Sequence, residues 1–158
     1  MPFRIVGFAG SLNRPSKTRA LVDLAARQSA LRFGAAAQVF DLGDLQPALG
    51  AAASLDDLTG QPRAAVEAIL RADALIVGSP VYKGSYTGLF KHLFDLIDPA
   101  TLAGKPVLLT ATGGGEKHAL VIEHQLRPLF AFFEAAVLPT GIYASAADFT
   151  DGAPATAP

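Results

Sequence analysis

The chain contains no cysteine. Disulfides and thiolate metal sites are therefore excluded, and the composition fits a cytoplasmic protein. Charge is scarce as well: 17% of residues are charged and the net charge is −1. That leaves no electrostatic footprint for nucleic acid. No apolar run approaches the roughly 20 residues of a membrane span. The N-terminus lacks a signal-peptide pattern, because Arg4 interrupts it and the apolar run is only a strand long. No pair or triad of His, Asp and Glu has metal-ligand spacing, so no metal is expected. The opening glycine loop is not G-x-G-x-x-G, which argues against a dinucleotide pyrophosphate held by glycines.

What remains is an apolar chain of 158 residues, 51% hydrophobic. This favours one domain with a sizeable core. Apolar runs of strand length alternate with helical patterns. Strands are expected at 3–9, 35–42, 74–79, 105–110 and 136–144. Helices are expected at 17–33 (with Leu21, Leu24, Ala25, Gln28 and Leu31 on one face), at 64–71, across Tyr86–Ile97, and at about 117–135. Residues 43–62 read as a long loop with one short helical turn. His92 and His118 read as surface residues. The domain is expected to span 1–144, with a low-complexity tail over 145–158 that is assigned no structure. Such alternation implies a doubly wound parallel α/β sheet.

Three expected strand ends carry unusual loops. Ser11 to Thr18 is hydroxyl-rich and opens a helix, an arrangement suited to phosphate. A tight turn with Ser16 as N-cap would give the same pattern. Pro80 to Ser85 follows the third strand. Thr112 to Gly115 follows the fourth, where a glycine run also suits a flexible turn. Ligands of open parallel sheets bind outside the carboxyl ends of the strands, so three such loops suggest one site. Pro128 lies inside the last expected helix and cannot donate to the carbonyl of His124. The helix is therefore expected to kink or widen at His124.

The motifs G-S-L-N-R-P-S-K-T at 10–18, S-P-V-Y-K-G-S-Y-T-G at 79–88 and A-T-G-G-G at 111–115 resemble the NAD(P)H-dependent FMN reductase family. The run P-V-Y-K-G-S-Y-T-G-L-F-K-H-L-F-D-L is most similar to the reductase components of two-component alkanesulfonate monooxygenases. The resemblance covers residues 3 to about 143. It implies a flavodoxin-like fold, a five-stranded sheet in the order 2-1-3-4-5 with helices on both faces. The family's final helix has no counterpart in the sequence, which implies that one sheet face is left bare.

The resemblance also implies the chemistry. NADPH or NADH gives a hydride to FMN, and reduced flavin passes to a flavin-dependent monooxygenase. Ser11, Ser16 and Thr18 would give hydroxyls to the phosphate, and Lys17 its main-chain N–H. Arg14 could add charge. Pro80, Val81 and Tyr82 would wall the ring, with N–H groups of Lys83, Gly84 and Ser85 at its polar edge. Thr112, Gly113, Gly114 and Gly115 would approach the ring edge. No catalytic side chain is expected. A homo-oligomer, dimer or tetramer, is implied, with His124 near the subunit contact and the flavin. Other readings are an FMN-bound quinone, azo-dye or chromate reductase, a flavodoxin-like electron carrier, and an inactive truncated domain.

Overall fold

The computed structural model describes residues 1–155. Its centre is a parallel sheet of five strands in the order β2-β1-β3-β4-β5. The strands are β1 (Arg4–Ala9), β2 (Ala36–Asp41), β3 (Ala74–Pro80), β4 (Pro106–Gly113) and β5 (Ala136–Ser145). This is the flavodoxin-like order. The chain runs from β1 outward to β2, then crosses back to β3 on the other side. The carboxyl ends of β1 and β3 thus flank the switch point, where a parallel sheet opens a crevice.

Alternate residues along each strand feed two cores. Val6, Phe8, Leu75, Val77, Val107 and Leu109 face the larger one. That side is covered by α2 (Ala48–Ala51), α3 (Gly60–Arg71), α4 (Gly88–Asp95) and α5 (Arg127–Phe132). Phe8, Phe90, Phe94, Phe130 and Phe133 interlock at its centre, with ring centroids as close as 4.9 Å. Ile5, Ala9 and Ile76 face α1 (Lys17–Phe33) on the other side. Ser16 caps α1, accepting from the N–H of Arg19 at 3.1 Å. Gly34 ends it in the left-handed region with φ 60°.

The buried stripe of α1 differs from the expected one. It comprises Thr18, Leu21, Val22 and Ala26, whereas Leu31 is 80% exposed. The stripe is set by close approach: Val22 fills the space that side chains at Gly7 and Gly78 would need. Beside α1, towards the amino ends of the strands, the sheet face forms an apolar groove of about 450 Å³ that includes Phe3, Ile5, Ile76, Leu108 and Leu138. No α-helix follows β5 among the described residues.

Further expectations need correction. Residues 43–62 are not a loop. They fold into single turns at Leu42–Asp44, Ala48–Ala51 and Leu55–Asp57, and α3 starts at Gly60 rather than 64. Leu42, Leu45, Leu49 and Leu58 drive this, each buried in the main core. Reciprocal caps, Asp41 with Asp44 and Ser54 with Asp57, start two of the turns. Nor is His92 a surface side chain. Its Nε2 lies 3.0 Å from the carbonyls of both Leu49 and Ala52.

The expected helix at 117–135 is broken into pieces. A 3₁₀ turn covers Glu116–His118, a π-helix covers Ile122–Leu126, and α5 follows. The N–H of Arg127 bonds to the carbonyl of Ile122, five residues back. The widened turn contains His124, whose carbonyl Pro128 cannot serve.

The tail also departs from expectation. β5 runs through Ser145, a 3₁₀ turn covers Ala146–Asp148, and a two-stranded hairpin pairs β6 (Phe149–Thr150) with β7 (Ala153–Pro154). Asp148 starts the turn by accepting from the N–H of Ser145 at 2.8 Å. Residues 156–158 of the tail lie outside the described residues.

Candidate active site

A pocket of about 380 Å³ opens over the carboxyl ends of β1, β3 and β4. Its size falls within the range of small-molecule sites. Of the residues singled out in the sequence, Ser11, Ser16, Lys17, Thr18, Pro80, Val81, Tyr82, Thr112, Gly113 and Gly114 line it. Lys83, Gly84, Ser85 and Gly115 do not line it. Asn13, Pro15, Ala146 and Phe149 line it without having been singled out. Asn13 and Pro15 sat inside the first motif. Ala146 and Phe149 gave no signal, because they come from the tail.

The first loop is held open by its own bonds. Gly10 donates to the carbonyl of Gly78 at 2.7 Å, and its missing Cβ leaves room for the ring of Phe90. Thr87 donates its hydroxyl to the carbonyl of Gly10 at 2.8 Å and caps α4. At the start of α1 the donors can be counted. The hydroxyl of Ser11 accepts from Asn13, and that of Ser16 accepts from Arg19. Each therefore keeps its own hydrogen to give. Thr18 and Thr112, both buried, share a hydroxyl–hydroxyl bond of 2.7 Å. One of the two donates to the other, so the pair retains one free hydrogen. The N–H groups of Lys17 and Thr18 lie in the first turn, where no intrahelical acceptor exists.

No carboxylate lines the pocket. The Nζ of Lys17 stands 5.8 Å from the ring centroid of Phe149, within cation–π range. This donor set fits a phosphate monoester: hydroxyls and N–H groups at a helix start, with a cation beside them.

Arg14 points elsewhere. Its guanidinium meets buried Asp41 at 2.7 Å and Asp44 at 3.3 Å, and Arg19 meets Asp41 at 2.8 Å. Its charge is neutralised there and not directed into the pocket. Burial pushes the Asp41 carboxyl up, but bonds from Arg14 and Arg19 outweigh it and hold the carboxyl below its ordinary value. The cluster ties the first loop to the end of β2.

The second loop is a tight two-residue turn. Tyr82 and Ser85 exchange backbone bonds of 2.9 and 3.2 Å, with Lys83 and Gly84 between them at φ 52° and 79°. Positive φ at both central positions is the type I′ pattern. The N–H of Ser85 is spent on Tyr82, so it is not the free donor expected from the sequence. Its hydroxyl donates to Gln125 at 3.0 Å. The wall is apolar: Pro80, Val81 and the half-exposed ring of Tyr82.

The third loop is shorter than expected, because β4 extends through Gly113. Tyr143 on β5 holds it by donating to the carbonyl of Gly115. Burial, followed by Asp148 and Glu116, raises the phenol above its ordinary value and keeps it a donor. Polar donors at one end and apolar walls at the other suit a flat ring carrying a phosphate arm.

Residues 3–150 match the family model of NADPH-dependent FMN reductases. An NADH-dependent FMN reductase SfnF of Pseudomonas fluorescens (strain Pf0-1) is 49% identical over 150 residues, 95% of this chain and 80% of that protein. An FMN reductase (NADPH) of Pseudomonas aeruginosa is 48% identical over 148 residues, 94% and 80% of the two chains. Among solved structures, an oxidoreductase from Corynebacterium diphtheriae superposes with a TM-score of 0.84 at 35% identity. That match covers 94% of this chain and 85% of the other.

Proposed function

The chain belongs to the NADPH-dependent FMN reductase family, and from that premise we propose how its own residues perform the reaction. Ser11, Ser16, the N–H groups of Lys17 and Thr18, and the Thr18–Thr112 pair bind the FMN phosphate. Lys17 adds its charge. Pro80, Val81 and Tyr82 pack against the ring, and Thr112 to Gly114 border its edge. Bound there, FMN would supply the redox chemistry as acceptor of a hydride from NAD(P)H, so no side-chain acid or base is needed. The residues bind and orient. The single observation carrying this reading is the convergence of three strand-end loops into one pocket with donors at one end and apolar walls at the other.

We infer further that the reduced flavin leaves for a partner monooxygenase acting on sulfonates. The similarity of Pro80–Leu96 to the reductases of two-component systems supports this. NADH and NADPH are both admitted as donors. The protein acts as a homo-oligomer, with His124 in the widened turn close to the subunit contact. No helix among the described residues is long and apolar enough to cross a membrane.

Initial rates of NADH and NADPH oxidation, measured with and without added FMN, test the reading. Oxidation that depends strictly on added FMN is expected. Protein that retains FMN through gel filtration and reduces a quinone faster than free FMN would instead place it among bound-flavin reductases.

A further inference from the structure

Phe149 joins neither apolar core of the sheet, yet its position is fixed from several sides. Ser145, the last residue of β5, pairs with Gly113 at the pocket edge. Asp148 closes the turn that follows, accepting from the N–H and the hydroxyl of Ser145 at 2.8 and 3.3 Å. The hairpin reverses at Asp151 and Gly152, with φ 51° and 78°. Those are the two positive-φ positions of a type I′ turn. Phe149 pairs with Pro154 across the hairpin, and the N–H of Ala155 donates to the carbonyl of Asp148 at 2.7 Å. β7 packs against α1. The tail thus carries one half-buried aromatic ring back to the flavin pocket, which it lines beside Lys17.

Two cations stand next to the first loop, and they are held in opposite ways. Arg14 is held by Asp41 and Asp44, and those carboxylates cancel its charge. Lys17 makes no ion pair among the described residues. The nearby carboxylate of Asp148 is spent on Ser145. What meets Lys17 instead is the face of Phe149, with Nζ 5.8 Å from the ring centroid. An aromatic face attracts an ammonium without neutralising it.

That difference matters for an anion. A lysine ammonium is a strongly hydrated charge on a flexible four-carbon stem. Left free in solvent, it gives up side-chain entropy when it meets a phosphate. A carboxylate would order the stem but remove the charge. A ring orders it and keeps the charge available, so less is lost on binding. We propose that Phe149 is a positioning residue for the phosphate of the flavin. Its ring holds the charged end of Lys17 beside the hydroxyls of Ser11, Ser16 and Thr18. The hairpin thereby completes from the tail a cradle that the first loop begins.

This inference rests on the FMN reading of the pocket, and one set of titrations separates the two. The full chain is titrated by flavin fluorescence with FMN and with riboflavin. The same is done with Phe149→Leu, Phe149→Tyr, Lys17→Gln and the Phe149→Leu/Lys17→Gln double variant. Phe149 lies outside both cores and Lys17 is exposed, so the variants should keep the fold. Phe149→Leu should bind FMN about threefold to fivefold more weakly, the scale of one cation–π contact, with riboflavin affinity unchanged. Phe149→Tyr keeps an aromatic face and should bind FMN as the wild type does. Lys17→Gln should weaken FMN by about tenfold. Adding Phe149→Leu to it should cost nothing more, because the ring then has no cation to hold. Equal losses for FMN and riboflavin in Phe149→Leu overturn the inference, assigning the ring to direct contact with the flavin. Unchanged FMN affinity in that variant, or losses that simply add in the double variant, also overturn it and leave the flavin site intact. A wild type that binds neither flavin refutes the underlying reading, and this inference with it.

Discussion

Gly113 is the residue on which the third loop depends. A Cβ there would run into the hydroxyl of Tyr143, whose bond to Gly115 holds the loop. Gly113→Ala should displace that phenol and weaken FMN binding by about tenfold, roughly the loss of one well-placed bond and its local order. Tyr143→Phe in the same chain makes room and should recover part of the affinity. Fluorescence titration of FMN against the two variants checks this. Gly113 was legible because a glycine run after a strand end is visible in the sequence. Tyr143 was not, since an aromatic residue in a strand reads as core. Asp41 was hidden for a similar reason. Its partners Arg14 and Arg19 stand 27 and 22 residues away, and no local pattern announces such pairing. The pairing matters, because it takes Arg14 away from the phosphate that the sequence had offered it.

At the scale of the element, the turns between β2 and α3 show how punctuation misleads. Pro47, Gly50, Asp56 and Gly60 read as loop signals, yet the leucines between them are buried and carry the fold. The Asp41–Asp44 and Ser54–Asp57 spacings were the overlooked signs, each a cap three residues ahead of its partner. His92 fastens this segment to α4. Both acceptors are carbonyls, so Nε2 must carry the proton and share it. His92→Ala should cost about 1–2 kcal/mol and speed amide exchange around Leu49 to Ala53 more than in the sheet. Denaturant unfolding and hydrogen exchange read the two effects. The π-helix was legible in outline, because Pro128 forces some departure at His124. That the departure is a π turn, and that the helix does not begin as an α-helix at 117, depends on packing against β4 and β5.

Over the whole molecule, alternation predicted the doubly wound parallel sheet and pointed to the carboxyl ends of its strands, whereas the strand order that the structure shows was implied by the family resemblance. The tail did not follow. Small residues and prolines suggested no structure, whereas Phe149 reaches back to the pocket and to Lys17. Long-range return of this kind leaves no periodic trace. Global stability should carry the mark of the Asp41 cluster. A carboxyl held below its ordinary value of 3.8 in the folded state contributes stability that is full above about pH 4. It is lost as the pH falls through the folded value. Asp41→Asn should be less stable at neutral pH and show a shallower loss on acidification, as measured by urea midpoints between about pH 2 and 7.

The central claim is that the helix start at Ser16–Thr18 holds a phosphate monoester attached to a flavin. Parallel titrations of wild type and Ser11→Ala/Ser16→Gly with FMN and with riboflavin, which lacks the phosphate, test it directly. Two hydroxyl bonds to a charged group amount to about 3 kcal/mol or more, or roughly a hundredfold in affinity. Wild type should therefore bind FMN at least tenfold more tightly than riboflavin, and the double variant should lose most of that preference while binding riboflavin as before. Equal affinity of the wild type for the two flavins, or a preference untouched by removing both hydroxyls, would contradict the account.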